Sequence, residues 1–335
     1  MNDLLASIWS PTRNDLWLCA PELALVGTVT AVLLVCLSAK RSGRLAAVVS
    51  LIGVLVTLLL TRAVAPSVAN GGQTAMTPQD ASPILLADNF TVFFRTLLMF
   101  FLGAVILLWL IGQSGRRGDL RPEVRPAPAG PEFFVLLLSS ALGMILMTST
   151  TNLLVMLIAI ETASLPSYAI VAADKRSRAG AEASLKYILF GAASASIMVF
   201  GITLLYGSLG TLDLAAGMAK VGAGKAVLGP AAWLGLAATG AGIIFKIAAV
   251  PFHFWCPDVF EGAPIEVTTW LSVASKAAAL GLLIRLVGTM TTATTDLMGP
   301  LAWGIGILAA VTCTIGNLAA LKQESVKRML AYSSI

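Results

Sequence analysis

An all-α polytopic membrane protein is the fold class this sequence predicts. Three observations carry it. Apolar runs long enough to cross a bilayer recur along all 335 residues; 57% of residues are hydrophobic and only 12% charged; and the basic residues gather in short runs between the apolar ones. A soluble chain carries roughly 25% charged residues, and the mean hydropathy here is +0.88.

A bilayer core of about 30 Å takes roughly 20 residues of helix. On that measure the first segment is Trp17–Leu37, which opens beside Pro21 and Glu22, followed by Leu45–Val64 and by Phe93–Ile111 with Arg95 near its start. The Pro-, Gly- and Arg-rich loop Gly112–Pro131 then sets apart residues 1–112, three leading helices, from the rest. Glu132–Ser149 follows, then Asn152–Ala172 with Glu161 and Pro166, then Ala183–Tyr206 with Lys186 four residues after Glu182. The seventh segment, Ala231–Asp258, is interrupted: Lys246 stands five residues before Pro251, and Pro257 lies further on. Pro264–Val287 holds Lys276 and Arg285, Leu301–Leu321 is the ninth segment, and a tenth begins near Val326 and is cut short at KRMLAYSSI.

Alternate loops hold Lys40, Arg41 and Arg44; Arg116, Arg117, Arg121 and Arg125; Lys175, Arg176 and Arg178; and Lys322, Lys327 and Arg328. The other side holds Arg13, Arg62, Lys220 and Lys225. The positive-inside rule puts the N-terminus outside, and it accounts for the net charge of +5 without nucleic acid. No basic n-region and cleavage site mark a removable signal peptide. The four cysteines, Cys19, Cys36, Cys256 and Cys313, sit singly, and His253 is the one histidine. Paired metal-ligand spacing and a glycine-rich nucleotide loop are both missing from the sequence. Electron chemistry is therefore expected in another chain, with no cofactor or metal held in this one.

The charges inside apolar segments are the informative ones, because each costs about 2.5–3.5 kcal/mol at a helix centre on insertion scales. Arg95 and Arg285 lie near segment ends, where a long side chain snorkels to the interface, and Glu22 reads as an interfacial charge. Lys186 has two readings: a lysine paired with Glu182 in the favourable i,i+4 sense, or a pathway residue. Glu161, Lys246 and Lys276 sit mid-segment, where an interhelical salt bridge or a proton pathway remains.

Pro251 has no N–H for the carbonyl of Ile247, Pro257 none for that of His253, and Pro166 none for that of Thr162. Freed carbonyls at membrane depth need protein or water around them, so a broken helix and a watery pocket are expected beside Lys246. Two charge-plus-proline sites of opposite sign invite a Glu161–Lys246 pair. At about 4 Å and an effective dielectric of about 20 that attraction is roughly 4 kcal/mol, and one proton moved against about 150 mV costs about 3.5 kcal/mol. Separating the pair therefore works on the scale that pumping requires. His253, just past the break, reads as a proton relay or as a hydrogen-bonded structural residue. Asp258 and Glu261 fall in a stretch without basic residues, which suits a water entrance or a subunit contact.

The runs FKIAAVPFHFWCPDVFEGAPIEVTTWLSVASK, AIETASLPSYAIVA, AEASLKYILFGAASASIMVFG and NLAALKQESVKRMLAYSSI resemble the antiporter-like membrane subunits of NADH-quinone oxidoreductase, respiratory complex I, and subunit N in particular. The resemblance implies an antiporter-like helix bundle built on inverted five-helix repeats, each with a broken helix. Here residues 132–288 would form the first repeat, with the seventh helix broken near 251–257, and 300–335 the start of an incomplete second one. It implies proton transfer through Glu161, Lys186, Lys246 and Lys276, with His253 as a candidate relay. It further implies that NADH, FMN, iron–sulfur clusters and quinone are handled by partner subunits, that other membrane subunits of the complex surround the chain in the lipid bilayer, and that the membrane is the bacterial inner one. A Mrp-type cation/proton antiporter subunit and a non-pumping structural subunit are the alternative readings.

Overall fold

The structure, a computed structural model, describes residues 13–38, 42–69, 73–75, 84–115 and 130–335. Lys40, Arg41, Arg116, Arg117, Arg121, Arg125 and most of the 113–131 loop lie outside the described residues.

The first predicted segment divides. A short α1, Arg13–Leu18, precedes α2, Ala20–Leu37, because Pro21 sits in the first turn of α2, where its missing N–H costs nothing. Then come α3 (Gly43–Ala69), strands β1 (Gln73–Ala75) and β2 (Leu85–Ala87), α4 (Asn89–Gly115), α5 (Pro131–Thr148) and α6 (Leu153–Val171). The two strands pair antiparallel, Thr74 opposite Leu86, a small local departure from the all-α expectation. Next are α7 (Arg178–Leu209), α8 (Leu214–Gly222), α9 (Pro230–Ile247), α10 (Trp255–Gly262), α11 (Ile265–Trp270), α12 (Lys276–Ala293), α13 (Met298–Ala320) and α14 (Val326–Ser334). A π-turn, Leu271–Ser275, joins α11 to α12 into one span. Nine helical stretches among the described residues are long and apolar enough to cross a bilayer, matching the nine complete segments expected.

Side-chain oxygens of Asn152, Ser177 and Asp213 accept from first-turn amides and cap α6, α7 and α8. Two glycines set the distances on which the site depends. A Cβ on Gly143 of α5 would run into the backbone of α6 at Ala163 and Ala159, and one on Gly201 of α7 would lie 2.7 Å from the Gly235 carbonyl of α9. Both helix pairs are therefore packed backbone to backbone, as small residues allow in membranes. The most buried span is α5 and the least buried is α13, whose apolar side chains, Trp303 and Ile307 among them, point outward.

The structure corrects three charge readings. Arg95 does not snorkel; it is 1% exposed and pairs with Glu22 at 2.6 Å, so Glu22 is a buried partner and not an interfacial charge. Nor does Arg285 reach outward. It grips Asp88 with two nitrogens at 2.8 and 2.9 Å, donates to the Thr148 carbonyl at 2.6 Å and lies over the Phe90 ring. The pair joins α12 to the loop before α4 and to the end of α5.

Burial alone would raise the Asp88 carboxyl, but the hydrogen bonds and charge of Arg285 outweigh it and hold Asp88 below the ordinary value of 3.8. A lowered folded pKa gives stability that is present above 3.8 and lost as pH falls through the lower folded value. Thermal melts of the purified subunit from pH 6 down to pH 3 should therefore lose stability at the acid end, and Asp88→Asn should flatten that loss; an unchanged acid limb in the variant would overturn the assignment.

Candidate functional site

The break that Lys246 adjoins is built in detail. Helix α9 ends in a Schellman arrangement: the Ala248 amide donates to the Phe245 carbonyl and the Ala249 amide to that of Ile244, both at 3.0 Å. Ala248 takes φ +64°, a left-handed conformation that costs a residue with a Cβ roughly 1–2 kcal/mol. Neighbours hold the turn in place. The Trp255 indole N–H donates to the Phe245 carbonyl at 3.2 Å, and the Val250 amide donates to the Thr312 hydroxyl of α13 at 3.1 Å. The break thus runs over residues 248–254.

Two of the proline readings are corrected. Pro257 opens nothing, because it lies in the first turn of α10, and the His253 carbonyl accepts from the Cys256 amide at 3.0 Å. Pro166 does not break its helix either: α6 is continuous from Leu153 to Val171. The Ser167 hydroxyl and the Ser140 hydroxyl of α5 donate to the Ala163 carbonyl, at 2.6 and 3.1 Å, next to the Thr162 carbonyl that Pro166 leaves without its amide.

Lys246 is 1% exposed and donates to Ser164 Oγ at 2.9 Å; that hydroxyl in turn donates to the Ile160 carbonyl at 2.6 Å. Glu161 and Lys246 line one cavity, together with Ser164, Tyr168, Ser194 and Met198. Its free volume of about 10 Å³ is close to the room one water needs. The carboxylate and the ammonium are brought together there, but they form no direct ion pair among the described residues; Ser164 stands where the salt bridge was expected. Glu161 is the acidic side chain that shares the cavity with Lys246.

Aromatic rings wall this region. Trp255 of α10 stacks on Tyr187 of α7 at 4.4 Å and 7°, and Tyr187 meets Tyr168 of α6 edge-on at 4.5 Å. Sequence reasoning passed over Ser164 and Tyr168, although a signal existed. They lie three and seven residues after Glu161, on the same face of one helix.

The remaining predicted residues lie apart from this cavity. Lys276 follows the π-turn and donates to the carbonyl and hydroxyl of Ser334 in α14, at 2.7 and 2.6 Å. It also approaches Cys256 Sγ at 3.8 Å and stands 5.5 Å over the Phe260 ring, both in α10. Lys246 therefore ends the half-helix before the break, and Lys276 is held against the half-helix after it. His253 sits buried in the break with its ring 4.4 Å from Phe254. Lys186 keeps the expected bridge to Glu182 at 2.8 Å and adds a second to Asp258 at 2.8 Å. Asp258 and Glu261 are not unpartnered: they belong to α10, and Arg328 of α14 pairs with them at 2.8 and 2.9 Å.

Residues 150–335 match the family model for the NADH:quinone oxidoreductase/Mrp antiporter transmembrane family. The NADH-quinone oxidoreductase subunit N of Anaeromyxobacter sp. (strain Fw109-5) is 36% identical over 356 residues, an alignment taking in all of this chain and 64% of that protein. That of Dehalococcoides mccartyi is 34% identical, over 94% of this chain and 62% of its own length. Among solved structures, a chain of respiratory complex I from Thermus thermophilus with bound aureothin superposes with a TM-score of 0.71 at 30% identity, covering 94% of this chain and 61% of that one. A chain of the Mrp complex from Dietzia sp. DQ12-45-1b gives 0.76 at 20% identity over 95% of this chain and 56% of its own, a likeness of fold. The chain spans less than two thirds of the length of these relatives.

Proposed function

Since this chain belongs to the NADH:quinone oxidoreductase/Mrp antiporter transmembrane family, we propose that it is a proton-translocating membrane subunit of an NADH-quinone oxidoreductase, working in the bacterial inner membrane with its N-terminus on the periplasmic side. Partner subunits carry NADH, FMN, iron–sulfur clusters and quinone, and electron transfer there drives proton movement here. The names of the relatives support this choice over a Mrp-type antiporter. Residues 132–288 act as one antiporter-like unit.

The single observation that carries the reading is the Lys246 ammonium, buried beside a broken helix, with a neutral serine hydroxyl as its direct acceptor and Glu161 across a water-sized cavity. A serine does not neutralise an ammonium, so the charge balance of the site rests on Glu161. When Glu161 carries its charge, the protonated lysine is favoured; when Glu161 is withdrawn or protonated, desolvation favours release of the lysine's proton. Ser164, which accepts from Lys246 and donates onward, can hold a proton path at that step. Lys276, beyond the break, is the next acceptor, and Lys186 and His253 flank the route.

The experiment is NADH-driven acidification of inverted membrane vesicles with Glu161→Gln in the native complex. The neutral, isosteric side chain should lower protons pumped per NADH by about tenfold, whereas Glu161→Asp should keep part of the wild-type value. Wild-type pumping in Glu161→Gln would overturn the reading, and sodium-dependent transport without NADH-oxidising partners would move the chain to the antiporter class.

A further inference from the structure

We propose that Asp258 and Arg328 are positioning residues for Lys276, forming a carboxylate–guanidinium hub that sets α10 against α14, the helices between which the lysine is held. This rests on the proton-transfer reading of Lys276.

Helix α10 is placed by its contacts, with Trp255, Cys256, Val259 and Phe260 buried in the core. Helix α10 has eight residues, entered from the irregular 248–254 stretch and left at Ala263, whose backbone is extended. A helix this short is not stable by itself and takes its position from tertiary contacts. Lys276 binds both: Ser334 of α14 through its carbonyl and hydroxyl, and Cys256 and Phe260 of α10. The place of its ammonium therefore depends on how α10 and α14 sit against each other.

The polar contacts between α10 and α14 run from Asp258 to the C-terminal end of α10. Asp258 shares its two oxygens, Oδ2 with Lys186 of α7 at 2.8 Å and Oδ1 with Arg328 of α14 at 2.8 Å. Arg328 also takes Glu261 at 2.9 Å. Lys327 donates to the Ala263 carbonyl at 2.9 Å and to that of Glu261 at 3.3 Å, closing the C-terminal end of α10. Asp258 lies two residues from each of Cys256 and Phe260, and Arg328 lies six residues, about 9 Å of helix, before Ser334. A change in the hub is thus carried along α10 and α14 to the groups that hold Lys276.

The hub adds little to folding stability. Its carboxylate and guanidinium are 30% and 32% exposed, and pairs with that much water around them contribute little to folding. Their removal should leave an assembled subunit in which the geometry at Lys276 has changed.

The test uses vesicles with the native complex carrying Asp258→Asn, Arg328→Gln, Asp258→Glu or Lys276→Ala, and reads protons pumped per NADH oxidised at equal amounts of assembled complex. Asp258→Asn and Arg328→Gln should each lower that ratio by about threefold or more, with Asp258→Glu, which keeps the carboxylate, recovering most of it. If Lys276→Ala lowers the ratio while Asp258→Asn and Arg328→Gln leave it unchanged, the hub does not position the lysine, and the proton reading stands alone. If Lys276→Ala leaves the ratio unchanged, the reading beneath falls and takes the proposal with it. Failure of both hub variants to assemble would make the hub a structural staple and overturn the proposal.

Discussion

Lys246→Ala is expected to abolish NADH-driven proton pumping by the native complex, with the complex still assembled. The side chain is 1% exposed, and its ammonium donates to a single neutral acceptor, Ser164. Removing it takes a positive charge out of the bundle and leaves the Ser164 lone pair facing space, a modest cost of about 1–3 kcal/mol. The loss of transfer should be far larger, at least about a hundredfold, because a proton-transfer group has no substitute in alanine. Lys246→Arg gives the sharper result. Arginine keeps the charge but does not release its proton at working pH, so pumping should stay lost. Wild-type pumping in Lys246→Arg would mean that the site needs a fixed cation and no transfer, and the mechanism proposed here would fail.

The largest effect on stability is expected at Arg95. Its guanidinium is 2% exposed and the Glu22 carboxylate 8%, in α4 and α2, at 2.6 Å. Arg95→Ala leaves a carboxylate in the apolar packing between two spans with no opposite charge, a change that costs about 3–5 kcal/mol in buried pairs. The midpoint of thermal unfolding of the purified subunit should fall accordingly. Replacing both partners by leucine should recover most of the loss, because it removes two desolvated charges together. A single variant as stable as the wild type would show that the ion pair holds nothing.

These two sites also mark what could be read in the sequence. Hydrophobic length alone located the nine spans, because a bilayer imposes one scale on every crossing helix. Lys246 before Pro251 announced the broken helix, since proline removes a donor at a known offset, and the opposite charges of Glu161 and Lys246 pointed to their meeting. Arg95 and Arg285 were misread because depth along a segment says nothing about what stands on the neighbouring helix. Glu22 and Asp88 reach them only through tertiary packing, Asp88 across 197 residues of chain. Pro166 looked like a second break, yet α6 continues through it from Leu153 to Val171. The π-turn before Lys276 leaves no mark in a composition of ordinary helix formers, and the split of Asp258 between Lys186 and Arg328 depends on a helix, α14, that the sequence showed only as a fragment of a tenth segment.

The broken seventh span has an electrostatic meaning as well. An unbroken helix places its backbone dipole charges at its two ends, near the membrane surfaces. Ending α9 at Ile247 and restarting at Trp255 brings a second pair of ends into the interior, a C-terminus carrying about half a negative charge and an N-terminus carrying about half a positive one. Lys246 lies in the last turn of the first half, beside the negative end. The backbone therefore supplies part of the counter-charge for the ammonium without a carboxylate in contact; in the mechanism proposed above, that leaves Glu161 to act on the lysine across the cavity. A side chain alone would have to choose between holding a cation tightly and letting its proton go; under the proposed mechanism the severed helix shares the first task and leaves the second to Glu161.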